Sequence, residues 1–145
     1  KLGKNCQLVL AGFPPTDNIG LTHAEKDSAL ILGWLSDKSK FYSQIDILVH
    51  PAKREAYGMV IAESASLGIP FVCSNECGAS TLTSEGFGKA VPQSASAESW
   101  AEQLISLISQ ESTGERYQRP WSHVAKEYAD LYEEIQPYSH RKETF

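Results

Sequence analysis

The sequence predicts an α/β protein built on a doubly wound parallel sheet. Three observations carry that expectation. Short apolar runs alternate with amphipathic stretches, the pattern of strands covered by helices on both faces. Glycine or proline closes the early runs, at Gly12, Gly33 and Pro51. The length, 145 residues with 41% hydrophobic and 21% charged side chains, suits one domain with a buried core.

The elements follow in order. Residues 7–11 (QLVLA) read as a strand ended by Gly12, and 13–22 as a loop punctuated by proline and glycine. Residues 23–28 have room for one or two helical turns. Ala29–Gly33 is the second strand. Ser36 is placed as the N-cap of a helix over 37–44, with Asp37 favourable against its dipole. Residues 46–50 (DILVH) form the third strand, stopped by Pro51. A loop over 52–57 leads into a helix over 58–67, for which Gly68 is the natural C-terminal stop.

Residues 69–74 (IPFVCS) make the fourth strand. A turn over 75–78, a short helix over 80–85 and a small strand, Gly88–Val91, come next. A helix from Ser96 or Ala97 to about residue 109 places Trp100, Leu104, Leu107 and Ile108 on one face. A break over 110–114 separates it from the last helix, Trp121–Ile135. Trp100, Trp121 and Tyr128 are expected in the core. Residues 136–145 read as a polar tail.

Composition excludes several function classes. A formal charge of −5 and a pI near 5.3 are wrong for nucleic acid, whose binding rests on clustered Lys and Arg. No apolar run approaches the ~20 residues of a membrane span, and the opening residues do not read as a signal peptide. Cys6, Cys73 and Cys77 are an odd set at spacings of neither a redox pair nor a zinc ribbon. Free thiols in a reducing cytoplasm are favoured over a metal site of Cys73, Cys77 and His50.

In a doubly wound sheet, ligands bind beyond the carboxyl ends of the strands. The segment Glu55 to Glu63, EAYGMVIAE, lies there, after the third strand. A helix starting near Gly58 aims unpaired N–H groups at the crevice, a ready phosphate site. Gly58 is expected to let a ligand approach the backbone. Two carboxylates would repel phosphate, so hydroxyls are their natural partners. Glu63 lies ~7 Å along the helix axis at ~1.5 Å per residue, and Glu55 stands before it. They can address two sugars flanking one pyrophosphate, the shape of a sugar nucleotide. The plain alternative, two solvated acids, is weakened by the apolar Val60, Ile61, Ala62 and Ala65 around Glu63.

The stretch from Leu32 to Pro92 resembles the C-terminal, donor-binding domain of GT-B glycosyltransferases of glycosyltransferase family 4. The matching pieces are GWLSD at 33–37, QIDILVHPA at 44–52, the E-x7-E segment and SASLGIPFV at 64–72. WSHVAKEY at 121–128 with Tyr132 resembles the family's closing helix. The resemblance implies the Rossmann-like C-terminal half of a GT-B fold. Residues 1–135 would be a nucleotide-sugar donor-binding domain.

It also implies retaining sugar transfer from a nucleotide diphosphate sugar, as substrate rather than cofactor, without an essential metal. Carried over by position, Glu63 would hold the ribose and Glu55 the donor sugar at the reacting centre. Tyr57, Gly58 and Met59 would offer backbone groups to sugar and diphosphate, with Gly12 and the Trp34–Leu35 turn near the nucleotide. His50, Lys53 and Arg54 are lesser candidates for a hydroxyl or phosphate. The acceptor would be a glycan or lipid-linked sugar, reached through an N-terminal domain. Expected localisation is cytoplasmic, with peripheral association at the inner membrane face.

Some features depart from the family pattern. Ala56-Tyr57 replaces the usual Pro-Phe, and Asn75-Glu76-Cys77-Gly78 replaces a usual Gly-Gly loop. The chain is expected to lack the domain's first strand and helix, with their Arg and Lys, and to be inactive alone. Strands 7–11 and 46–50 would flank that strand, and are expected to pair directly or accept a strand from elsewhere. A receiver domain fails because Asp46 sits at the wrong end of its strand. A glycoside hydrolase with Glu55 and Glu63 as its acid pair would need no helix N-terminus between them. A catalytically silent nucleotide-sugar binding module stays open.

Overall fold

A computed structural model describes residues 6–12, 29–110 and 115–135. The expected loop 13–22, the turns 23–28, most of the break at 110–114 and the tail 136–145 lie outside them. The described strands are β1 (Leu8–Ala11), β2 (Ala29–Gly33), β3 (Leu48–His50), β4 (Phe71–Ser74) and β5 (Gly88–Val91). All pairings are parallel, so each link crosses over. Between the strands lie α1 (Ser39–Tyr42), α2 (Met59–Ser66) and a 3₁₀ helix, Gly78–Glu85; α3 (Ala97–Ile108) and α4 (Trp121–Ile135) follow β5. The parallel α/β class is as the sequence predicts.

β4 is the centre of a three-stranded sheet in the order β3-β4-β5, and all four of its residues are buried. Parallel strands flanked on both sides and covered on both faces read as unbroken apolar runs, which is why FVCS carries no solvent-facing residue. Phe71 and Cys73 share one face by the two-residue period. They join Leu48, Ile61, Ala65, Cys77, Ala79 and Leu82 in the main core. Val72 and Val91 are buried outside that cluster, and α3 packs on β4 and β5. Phe71 is the largest wholly buried side chain. Its truncation to alanine would cost about 3–5 kcal/mol.

β1 and β2 form a second, two-stranded sheet, with a register shift between Leu10 and Ala11. Among the described residues β1 pairs only with β2, and β3 only with β4. The expected direct pairing of these two edges is therefore not seen. Leu8 and Val49 on these strands are both exposed.

Two further expectations are corrected. The helix over 37–44 is a single turn, Ser39–Tyr42, and Ser36 is not its cap. Lys38 holds that place without a side-chain cap bond. Asp37, one position earlier, accepts through Oδ1 from Ser39 N at 2.9 Å and Ser39 Oγ at 2.6 Å, satisfying an N–H that the short helix leaves free. Trp121 and Tyr128 are not core residues. α4 has no buried residue, and Trp121 is 85% exposed. The segment before α4 does dock: Tyr117 N donates to Ala65 O at 3.0 Å, and its ring meets Phe87 edge-on at 5.6 Å.

Candidate functional site

β3 ends at His50 because Pro51 has no N–H to continue the ladder. The chain passes exposed Lys53 and Arg54 to Glu55, whose backbone forms a parallel bridge with Cys77. Ala79 N–H then donates to Tyr57 O at 2.7 Å. Gly78 makes this contact feasible. A β-carbon there would stand 2.5 Å from Ala56 O and 3.2 Å from Tyr57 Cα. The Asn75–Gly78 loop, which departs from the family pattern, thus has a definite role as the rear support of residues 55–57.

Gly58 opens α2 at φ 88° and ψ 62°, a left-handed conformation that side chains disfavour. A β-carbon would also meet Ile61 Cδ1 at 2.8 Å and Glu55 Cγ at 3.4 Å. The need for glycine therefore arises inside the chain, whereas the sequence reading assigned it to ligand approach. α2 has no side-chain cap and no acid in its first turn. Its first N–H groups have no side-chain acceptor, which leaves them free for an anion, with the Glu55 side chain alongside.

Tyr57 and Met59 are exposed on either side of Gly58. Beside them, His50 Nε2 lies 3.8 Å from Glu55 Oε2, outside hydrogen-bond range. That nitrogen is buried and has no partner.

Glu63 sits one turn into α2 and is held from α1. Tyr42 Oη donates to Oε2 at 2.6 Å, and Lys38 Nζ donates to Oε1 at 2.7 Å. Burial pushes the Glu63 carboxyl up, but the bonds from Lys38 and Tyr42 and the Lys38 charge outweigh it, leaving it below its ordinary value. Burial, followed by the bond to Glu63 and its charge, raises the Tyr42 phenol, so it stays a donor. Lys38 and Tyr42 escaped the sequence reading. Their four-residue spacing puts them on one helical face, but nothing local points that face at a residue 21 positions on.

The structure thus gathers His50, Glu55, Tyr57, Gly58 and Met59 at the start of α2, with Glu63 a turn beyond. Gly12 and Leu35 follow the carboxyl ends of β1 and β2. Gly12 N donates to Gly33 O at 2.9 Å, and Trp34 next to Leu35 is 75% exposed. Lys53 and Arg54 form no ion pair among the described residues. No group of three or more His, Cys, Asp or Glu there could hold a metal ion.

A helix N-terminus at the strand ends of an α/β domain suits an anionic ligand. The family profile described as "Glycosyl transferases group 1" matches residues 1–126, and the chain belongs to that family. It is 26% identical over 118 residues to "Capsular polysaccharide biosynthesis glycosyltransferase CapM" of Staphylococcus aureus, covering 78% of this chain and 31% of the relative. It is 29% identical over 96 residues to "Lipopolysaccharide glucosyltransferase WaaG" of Escherichia coli (strain K12), covering 66% and 25%. With "O-antigen biosynthesis glycosyltransferase WclY" of Escherichia coli it shares 34% over 66 residues, 44% and 19%. The chain thus spans no more than about a third of the length of these curated relatives.

Proposed function

We propose that residues 1–135 form the donor-binding half of a retaining glycosyltransferase, which passes a sugar from a nucleotide diphosphate sugar to a glycan or lipid-linked acceptor. The observation that carries this reading is the placement of Glu55 and Glu63 on either side of the uncapped α2 N-terminus. The diphosphate would lie against the N–H groups of Gly58 and Met59, with Lys53 and Arg54 adding positive charge nearby. In this reading its charge is met by dipole and cations rather than by a metal.

Each carboxylate then takes hydroxyls. Glu63, kept ionised by Lys38 and Tyr42, accepts from the ribose. Glu55 accepts from the transferred sugar and fixes it for attack, which makes it the catalytic residue of this half. Tyr57 and Met59 border the sugar, while Gly12, Leu35 and Trp34 border the nucleoside. The retaining course is supported by likeness to the family alone.

The acceptor half would lie outside these residues, a reading supported by the greater length of the relatives. Glycan acceptors are supported by the capsular, O-antigen and lipopolysaccharide roles in the relatives' names. No described helix is long and apolar enough to cross a membrane. Peripheral work at the cytoplasmic face of a membrane by the complete protein is part of this proposal.

A thermal-shift panel of UDP, GDP, ADP and their sugars tests the proposal, since a ligand of the native state raises stability by mass action. One nucleotide and its sugar should shift the transition. No shift with any of them, in the complete protein, would overturn the reading.

A further inference from the structure

A carboxylate has about four acceptor positions, two on each oxygen. At Glu63 the chain fills one position on each: Tyr42 Oη binds Oε2 at 2.6 Å and Lys38 Nζ binds Oε1 at 2.7 Å. One position per oxygen remains, and two hydroxyls on adjacent ring carbons can take such a pair. The two restraints differ in kind. Tyr42 is buried, edge-on to Phe41 at 5.3 Å, and its hydroxyl also lies 3.3 Å from Val60 O. Its place is therefore set by the core. Lys38 is 62% exposed along its side chain. It keeps two further donors and can yield as a ligand enters.

We propose that Tyr42 and Lys38 are positioning residues for the nucleotide, holding the Glu63 carboxylate so that a vicinal diol of ribose bridges both its oxygens. This rests on the donor-binding reading and adds α1 to the site. Preference for ribose over a sugar lacking both hydroxyls would then be set largely by α1, although neither residue need touch the diol. A purely structural role would be a staple between α1 and α2. Losing a staple would weaken every nucleotide alike.

The test uses the complete protein and calorimetry with the best-binding of UDP, GDP and ADP, beside its 2′,3′-dideoxy form. Wild type should prefer the ribose form by about 10-fold or more, since hydrogen bonds to a charged group carry that much. Tyr42→Phe should cut the preference several-fold while the dideoxy affinity stays constant. Lys38→Met should cut it as well, and Lys38→Arg should restore it. Lys38 is exposed, so its variants keep the test valid if Tyr42→Phe does not fold.

An unchanged preference in Tyr42→Phe and Lys38→Met, or equal weakening of both ligands, would overturn the positioning role and leave the donor reading standing. No ribose preference in wild type would remove the diol from Glu63 and this inference with it. Failure of wild type to bind any of the three would bring down the donor reading itself.

Discussion

His50 Nε2 is enclosed by the protein, has no hydrogen-bond partner and faces Glu55 Oε2 across 3.8 Å. An enclosed polar atom without a partner costs about 1–3 kcal/mol. A modest turn of the Glu55 side chain would close the gap and fix its carboxylate. His50→Leu should therefore leave thermal stability unchanged or raised. In the same variant, sugar-nucleotide affinity should fall while bare nucleotide affinity holds. Paired denaturation and calorimetry check this, and a loss of stability with equal loss of both ligands would assign His50 to packing.

The two glutamates should separate by ligand. Glu63→Gln removes a contact common to the nucleotide and its sugar, so both should weaken by a similar factor, about 10- to 150-fold. Glu55→Gln should spare the bare nucleotide, weaken the sugar nucleotide and slow transfer by the complete enzyme. Four calorimetric affinities decide the matter. Equal weakening of the bare nucleotide by both variants would refute this assignment of roles.

Gly78→Ala should impair the site without touching a ligand. Its β-carbon would lie 2.5 Å from Ala56 O, a backbone atom that cannot rotate away, so residues 55–57 must shift. Sugar-nucleotide affinity should drop at least tenfold, because misplacing a positioning group by about 1 Å can cost about 100-fold. Glu85→Ala, an exposed change at the far end of the same 3₁₀ helix, should have no such effect. Calorimetry on the two variants makes the comparison.

What could be read before folding was periodicity and punctuation. Gly88–Val91 and Trp121–Ile135 emerge with the bounds expected, because an apolar run or a helical stripe is a local property. Strand starts were set too early: β3 begins at Leu48 and β4 at Phe71, where Pro70 offers its carbonyl to Leu48 N at 3.0 Å but has no N–H to donate in return. The exposure of Trp121 and Tyr128 was not legible, for a stripe shows which face is apolar and not whether anything covers it. Glu55, Gly58 and Glu63 were legible because the helix start was. Of their supports, His50 stands five residues before Glu55 and was within reach of the sequence, whereas Gly78, Lys38 and Tyr42 act across 21 or more residues, where spacing says nothing about contact.

Acid should reveal the hold on Glu63. Because its folded carboxyl is lowered, the stabilisation it gives is present above the ordinary glutamate range and lost as pH falls through the lowered value. Nucleotide binding should persist correspondingly far into acid. Lys38→Met removes a hydrogen bond and a charge that keep the carboxyl low, so the acid limb should move to higher pH. Stability should change by less than about 1 kcal/mol, since Lys38 is largely exposed. Affinity measured against pH in both proteins gives the shift, and coincident curves would refute it.

Thiol chemistry should be confined to one place. Burial, with help from the Cys77 charge, pushes Cys73 up to about 11, and burial raises Cys77 as well. Cys6 is exposed. Iodoacetamide at neutral pH should add one label per native chain, at Cys6, and three after denaturation. Mass spectrometry counts them, and fast native labelling of Cys73 or Cys77 would contradict their enclosure.

The bond from Ala79 to Tyr57 has a use beyond support. Ala79 is wholly enclosed, and its amide proton is spent on a carbonyl of the very loop that precedes Gly58. Resonance frequency and solvent exchange of such a proton follow the length of its bond. A single nitrogen label at this alanine would therefore serve as a listening post behind the loop, registering each displacement of Tyr57 from a position that no ligand needs to touch.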